Sequence, residues 1–150
     1  MDSCVSSNSC GACSTGERKS DVDRWTTHVS KVLNSPPARR KFRTYLLNMN
    51  LEEAENTLYF WEQIDKIQRE KRSEDLTRNV LLSRYRKLYN HADEYVNLDE
   101  AELRQLKRLL KCSSPDEEDE ILDQAKQSVQ KLLMDDHKHF SSYLWKQLGR

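Results

Sequence analysis

Four cysteines at 4, 10, 13 and 112, two histidines at 137 and 139, and an acidic run from Asp116 to Glu120 are the residues whose types and spacing could carry chemistry. Cys10-Gly-Ala-Cys13 with Cys4 offers three thiols, one short of a structural zinc site, and the nearest further ligand, His28, falls inside a predicted helix. His137 and His139 stand two apart, which on a helix turns their rings to different faces, so they read as solvated surface histidines rather than a shared metal site. No metal and no cofactor is expected. The acidic run suits the N-terminus of a helix, where the backbone dipole favours negative charge. A glycine-rich phosphate loop, a Gly-x-Ser-x-Gly elbow and a His-Glu-x-x-His pair are all absent from the chain. An autonomous enzyme is therefore not expected, and function is sought in a surface that recognises a partner. Cys4, Cys10 and Cys13 read either as inert thiols or as lipidation sites, since each buried methylene of an acyl chain adds about 0.8 kcal/mol to membrane attachment.

The elements that must position such a surface follow from composition. A chain of 150 residues with 25 basic and 25 acidic side chains has no net charge to draw it to nucleic acid. At 36% hydrophobic and 33% charged it is polar for a folded domain, yet it keeps the leucines and large aromatics that disordered chains lack. No apolar stretch reaches the roughly eighteen residues a spanning helix needs, and the N-terminus lacks a secretory pattern. The expectation is a cytoplasmic protein, at most peripheral at the plasma membrane through an acylated tail.

Glycine occurs only at 11, 16 and 149, which leaves 17 to 148 free of it. Residues 1–19, rich in Ser and Cys, are expected to form a flexible tail, and 20–150 one helical domain. Helix starts are read where a capping residue precedes an acid by three: Ser20 with Asp23, Asn50 with Glu53, Asn97 with Glu100, and Ser114 with Glu117 and Pro115 in first position. Ser73 is read as a further start. Apolar stripes at three- and four-residue spacing follow: Val22, Trp25, Val29 and Val32; Phe42, Tyr45 and Leu46; Leu51, Ala54, Leu58, Trp61 and Ile64; Leu76, Val80, Leu81, Tyr85 and Leu88; Leu98, Leu103, Leu106 and Leu110. The last stretch, with Ile121, Leu122, Ala125, Val129 and Leu132, then Phe140, Leu144 and Leu148, predicts two helices broken at Asp135-Asp136-His137. No period-two pattern and no internal repeat is present, so the fold class is an all-α bundle of seven to nine short helices.

Trp25, Lys41-Phe-Arg-Thr-Tyr-Leu46, Ala54-Glu-Asn-Thr-Leu-Tyr-Phe-Trp61, Tyr95-Val-Asn-Leu-Asp99, and Ala125 through Leu132 and Leu133 to Phe140 come in an order and spacing that resembles the regulator-of-G-protein-signalling (RGS) domain family over about 24 to 148. The resemblance implies an all-α module that speeds GTP hydrolysis by heterotrimeric Gα subunits, adds no acid, base or arginine of its own, and holds the Gα switch segments in their transition-state arrangement. It implies attenuation of G-protein-coupled receptor signalling. The partner expected is a Gα subunit in its GTP-bound or transition-state form.

Carried over position by position, the resemblance places Asn97 between the switches, against the glutamine that orients the attacking water. The same Asn97 also reads as a helix N-cap. Family members set an asparagine three residues before Phe-Trp; here Asn56 stands four before Phe60 and Thr57 holds the matching place, beside Glu55. A one-residue shift turns a helical side chain by about 100°, so either Thr57 or Asn56 faces Gα. Near the C-terminus Asp135 or Asp136 supplies the family's acid, but His139 stands where an arginine is expected. Loss of that fork removes charged hydrogen bonds of about 1.5–3 kcal/mol each. Leu132 matches an apolar contact and equally suits a core position on the Val129 stripe. Three functions follow: a GTPase activator, a non-catalytic adaptor of the same fold supported by Thr57 and His139, or a spacer whose cysteine-rich tail is the working part.

Overall fold

The computed structural model describes residues 18–74, 76–111 and 114–149. Cys4, Cys10, Cys13 and Cys112, with nearly all of the expected tail, lie outside them. Among the described residues there are seven α-helices, one single-turn 3-10 helix and no strand: α1 Lys19–Thr27, α2 Val29–Leu33, α3 Pro36–Asn48, α4 Glu52–Arg72, α5 Arg78–Tyr95, α6 Glu100–Lys107, the 3-10 turn Arg108–Leu110, and α7 Pro115–Leu148. The all-α class and the helix number agree with expectation, but α7, at 34 residues, is not short.

The described residues pack as two units, one made of the stretch that ends at Phe42 with the stretch that begins at Met134, the other Arg43–Leu133. In the first, Val22, Trp25, Val29 and Val32 are buried as their spacing predicts, and Phe42 and Phe140 meet with ring centroids 4.9 Å apart. The predicted single helix from Ser20 is in fact two. His28 is extended (φ −162°), and its Nδ1 accepts the backbone N–H of Ser30 at 3.1 Å, which caps α2. No side chain caps α1, whose N-cap is Arg18.

α7 is unbroken through Asp135–His137, contrary to the predicted division, because His137 is a core residue rather than a surface histidine. It is 7% exposed and continues the buried series toward Phe140 and Leu144. Its Nε2–H donates to the Trp25 carbonyl at 2.8 Å. That carbonyl belongs to the last turn of α1, where helical partners run out, so one hydrogen bond satisfies two buried groups. Burial lowers the His137 pKa, against the opposing pull of the Trp25 carbonyl.

In the second unit α4 is flanked by α5 and α7, each antiparallel to it. Arg84 pairs with Glu70 while His91, later on α5, reaches Asn56, earlier on α4. On the other flank Lys71 meets Asp119 at 2.9 Å, Gln68 meets Asp123 at 2.8 Å, and Lys126 meets Asp65 at 3.0 Å while lying 4.7 Å above the Trp61 ring. Fully buried Leu58, Phe60, Ile64, Tyr85 and Leu122 fill the interior, each such apolar side chain contributing roughly 1.5–3 kcal/mol.

Besides that at Ser20, three predicted starts move. Asn50 adopts a left-handed φ of 58° and α4 begins two residues later, after an N-cap, Leu51, that makes no side-chain capping bond. Ser73 closes α4 instead of opening α5, which Thr77 caps by accepting from Val80 N–H at 3.3 Å. α6 is capped by Asp99 with Glu102, not by Asn97 with Glu100. Ser114 does accept the Glu117 N–H at 3.4 Å. Val80 is 44% exposed, and the 3-10 turn buries Leu109 in place of Leu110.

Candidate functional site

At one end of the second unit α4 begins and α5 ends. His91 Nε2–H donates to the Asn56 carbonyl at 3.2 Å and so ties the two ends together. Six residues beyond His91 the chain reaches Asn97, which places Asn56 and Asn97 at the same end of the α4–α5 pair.

The turn that carries Asn97 is held on both sides. Val96 is 6% exposed and Leu98 9%, so both neighbours are anchored in apolar surroundings. Leu98 N–H donates to the Val96 carbonyl at 2.8 Å, a three-residue turn centred on Asn97. Directly after it, Asp99 accepts the Glu102 N–H at 2.7 Å and Glu102 Oε1 accepts the Asp99 N–H at 2.9 Å, a reciprocal capping box. With the neighbours turned inward, the Asn97 side chain is exposed. The capping role that sequence allowed it belongs to Asp99. An apolar groove of about 170 Å³, lined by Leu98, Leu106, Ile121 and Ala125 among others, adjoins this turn.

On α4 the first turn is acidic, with Glu52, Glu53 and Glu55. Thr57 is 3% exposed and its Oγ1 donates to the Glu53 carbonyl at 2.9 Å, so its polar atom is spent on its own helix. Glu55 and Asn56 are half-buried. Of the two alternatives at this place, Thr57 points into the core stripe of Ala54, Leu58 and Trp61, and Asn56 is the one solvent reaches. Leu132 is also half-buried, because Leu133 takes the core position four residues after Val129.

Asp135, Asp136 and His139 belong to the first unit, on α7. Asp135 and His139 are exposed and Asp136 is half-buried. The separation of His139 from His137 is complete, since the latter's ring is inside and engaged with Trp25. Those two histidines therefore present no joint ligand set.

Sequence reasoning passed over Tyr59 and His91. Tyr59 is 47% and Tyr95 49% exposed, and both rings pack on His91, at 5.0 and 5.2 Å between centroids. The four-residue spacing of His91 and Tyr95 is a visible signal for such a contact on one helix face. The acidic run also hides a buried member: Glu118 is 1% exposed and lies 2.8 Å from the Arg78 guanidinium and 3.1 Å from the Tyr85 hydroxyl.

Among the described residues no helix is long and apolar enough to cross a membrane. The family model for the regulator of G protein signaling domain matches residues 28–148. Comparison with curated proteins and with solved structures gives no match.

Proposed function

Because the chain belongs to the regulator of G protein signaling family, we propose that it is a GTPase-activating partner of a heterotrimeric Gα subunit and attenuates receptor signalling by that route. The observation that carries this reading is Asn97: a polar side chain exposed on a three-residue turn, between two buried apolar anchors and ahead of a closed capping box. A backbone so held loses little freedom when a partner clasps the side chain it presents. In the first unit Asp135, Asp136 and His139 are Gα contacts in their own right; in the second unit Asn97, Glu55, Asn56 and Leu132 contact the switch segments of Gα. Thr57 supports that surface from below.

The protein supplies no reacting group. It binds the switch segments more tightly in their transition-state arrangement than in the ground state, and each tenfold acceleration requires about 1.4 kcal/mol of that difference. Acyl chains on Cys4, Cys10 and Cys13 would hold it at the membrane where Gα resides, which acyl-exchange labelling of those three thiols tests.

Single-turnover GTP hydrolysis by a panel of Gα subunits, with wild type and Asn97→Ala, is the test. An amide left without its partner at a desolvated contact costs roughly 1–3 kcal/mol, so the variant is expected to lose about 5- to 150-fold of the acceleration. The burial of Thr57 and the histidine at 139 favour a second reading, an adaptor that binds Gα without accelerating it. Measurable binding by wild type with no change in hydrolysis rate would establish the adaptor.

A further inference from the structure

Three rings stand beside the Asn97 turn without being taken up by the core. Tyr95, 49% exposed, is the last residue of α5 and leans on His91 at 41°; Tyr59, 47% exposed, meets His91 edge-on at 63°. His91 itself cannot swing away, because its Nε2–H is engaged by the Asn56 carbonyl. The result is a short fixed ladder with roughly half of each tyrosine wet.

Along the two segments that carry these rings and run to the Asn97 turn, charge has one sign. Neither 49–65 nor 88–103 contains a lysine or arginine, while Glu52, Glu53, Asp93 and Glu94 are exposed there and Glu55 is half-buried. The nearest basic residue along α5, Lys87, lies four residues before His91 as Tyr95 lies four after; with Arg84 it lines a pocket shared by Tyr59 and His91, and Tyr95 is not among that pocket's lining residues. An aromatic face attracts a cation, and carboxylates nearby strengthen that attraction and repel an anion.

Resting on the reading that the chain docks on Gα, we propose that Tyr95, braced by His91 and Tyr59, is a cation–π contact for an arginine- or lysine-bearing segment of Gα that lies alongside the Asn97 turn. A purely apolar partner would leave the surrounding carboxylates unmatched and desolvate them at a cost. A basic segment matches both ring and rim, and so adds discrimination between Gα subunits that carry a cation at this place and those that do not.

The test is the affinity of Gα loaded with GDP and aluminium fluoride for wild type, Tyr95→Phe, Tyr95→Leu and Asn97→Ala, with circular dichroism as the folding control. Leucine keeps apolar area but has no ring, so Tyr95→Leu is expected to bind about five- to tenfold more weakly, and Tyr95→Phe within about twofold of wild type. Wild-type affinity in Tyr95→Leu overturns the proposal, as does an equal loss in Tyr95→Phe, which would assign the effect to the hydroxyl. If Asn97→Ala loses binding or acceleration while Tyr95→Leu matches wild type, the cation–π contact alone fails. If wild type binds no Gα, both readings fall.

Discussion

Glu118 is the residue on which the second unit's interior polarity turns. Its carboxylate meets Arg78 at 2.8 Å, Lys71 at 3.5 Å and the Tyr85 hydroxyl at 3.1 Å, while being 1% exposed. Burial first, and then the negative Glu118, raises the Tyr85 pKa, so the phenol stays protonated and donates. Replacing Glu118 by alanine strands the Tyr85 hydroxyl and leaves Lys71 short of a partner. Removal of one partner from a buried pair costs about 3–5 kcal/mol; Arg78 and the Asp119 contact of Lys71 remain partly in water, which puts the expected loss near 3 kcal/mol. Urea unfolding of Glu118→Ala reads it directly, and a loss below about 1 kcal/mol would contradict this account. The residue's position was legible in the sequence, since 118 lies three and four before Ile121 and Leu122 on the core face. The carboxylate's charge argued the other way, and only its partners on α4 and α5, distant in sequence, reverse that argument. Thr57 is the same lesson in reverse: its register fits the Ala54–Leu58–Trp61 stripe, but resemblance to family members drew attention to the surface.

Helix identity was more legible than helix ends. The periodic stripes located α3, α4, α5 and α6, because burial of one face follows from spacing alone. The ends depend on competition among caps that local sequence does not rank. Asn97 with Glu100 and Asp99 with Glu102 both satisfy the capping pattern. The second prevails because Val96 and Leu98 are both buried, which requires an extended turn through Asn97 before helix can begin. Asp99→Ala opens that box and is expected to cost about 1 kcal/mol, with faster amide exchange at Glu102 than in wild type. Since the box also closes the turn from behind, the same variant should weaken Gα binding less than Asn97→Ala does. An equal or greater loss would mean that Asp99 itself contacts the partner. Similarly, Ser73 fits a start, yet Arg69, Lys71 and Arg72 suit the C-terminal end of a helix, and α4 runs through to them.

For the whole chain, formal charge balances at pH 7, so until the carboxylates begin to protonate general repulsion stays modest and particular buried groups shape the response to acid. Two of them act in separate windows. For His137, burial lowers the folded-state pKa below the unfolded value of 6.5. The unfolded chain therefore binds more protons, and stability that is complete above 6.5 is lost progressively as pH falls toward the lowered native value. For Asp65, burial pushes the pKa up, but Lys126 and Arg69 together outweigh it and leave it below 3.8. That contribution is intact above 3.8 and disappears only as pH falls through the native value. The two predict a decline that begins near pH 6.5 and a further one that begins below pH 3.8. His137→Gln separates them: its side-chain amide can donate to the Trp25 carbonyl but does not titrate. His91 and His139 are common to both proteins and cancel in the comparison, whereas the charge of His28 disfavours protonation of His137 in wild type only and so adds to the difference. Urea midpoints measured from pH 7.5 to pH 5 should therefore fall more steeply for wild type than for His137→Gln. Equal slopes above pH 5 would mean that the imidazole is as easily protonated in the folded chain as in the unfolded one. That would be inconsistent with a ring held inside α7's core stripe with its Nε2–H committed to Trp25, and with the unbroken α7 that this bond accompanies.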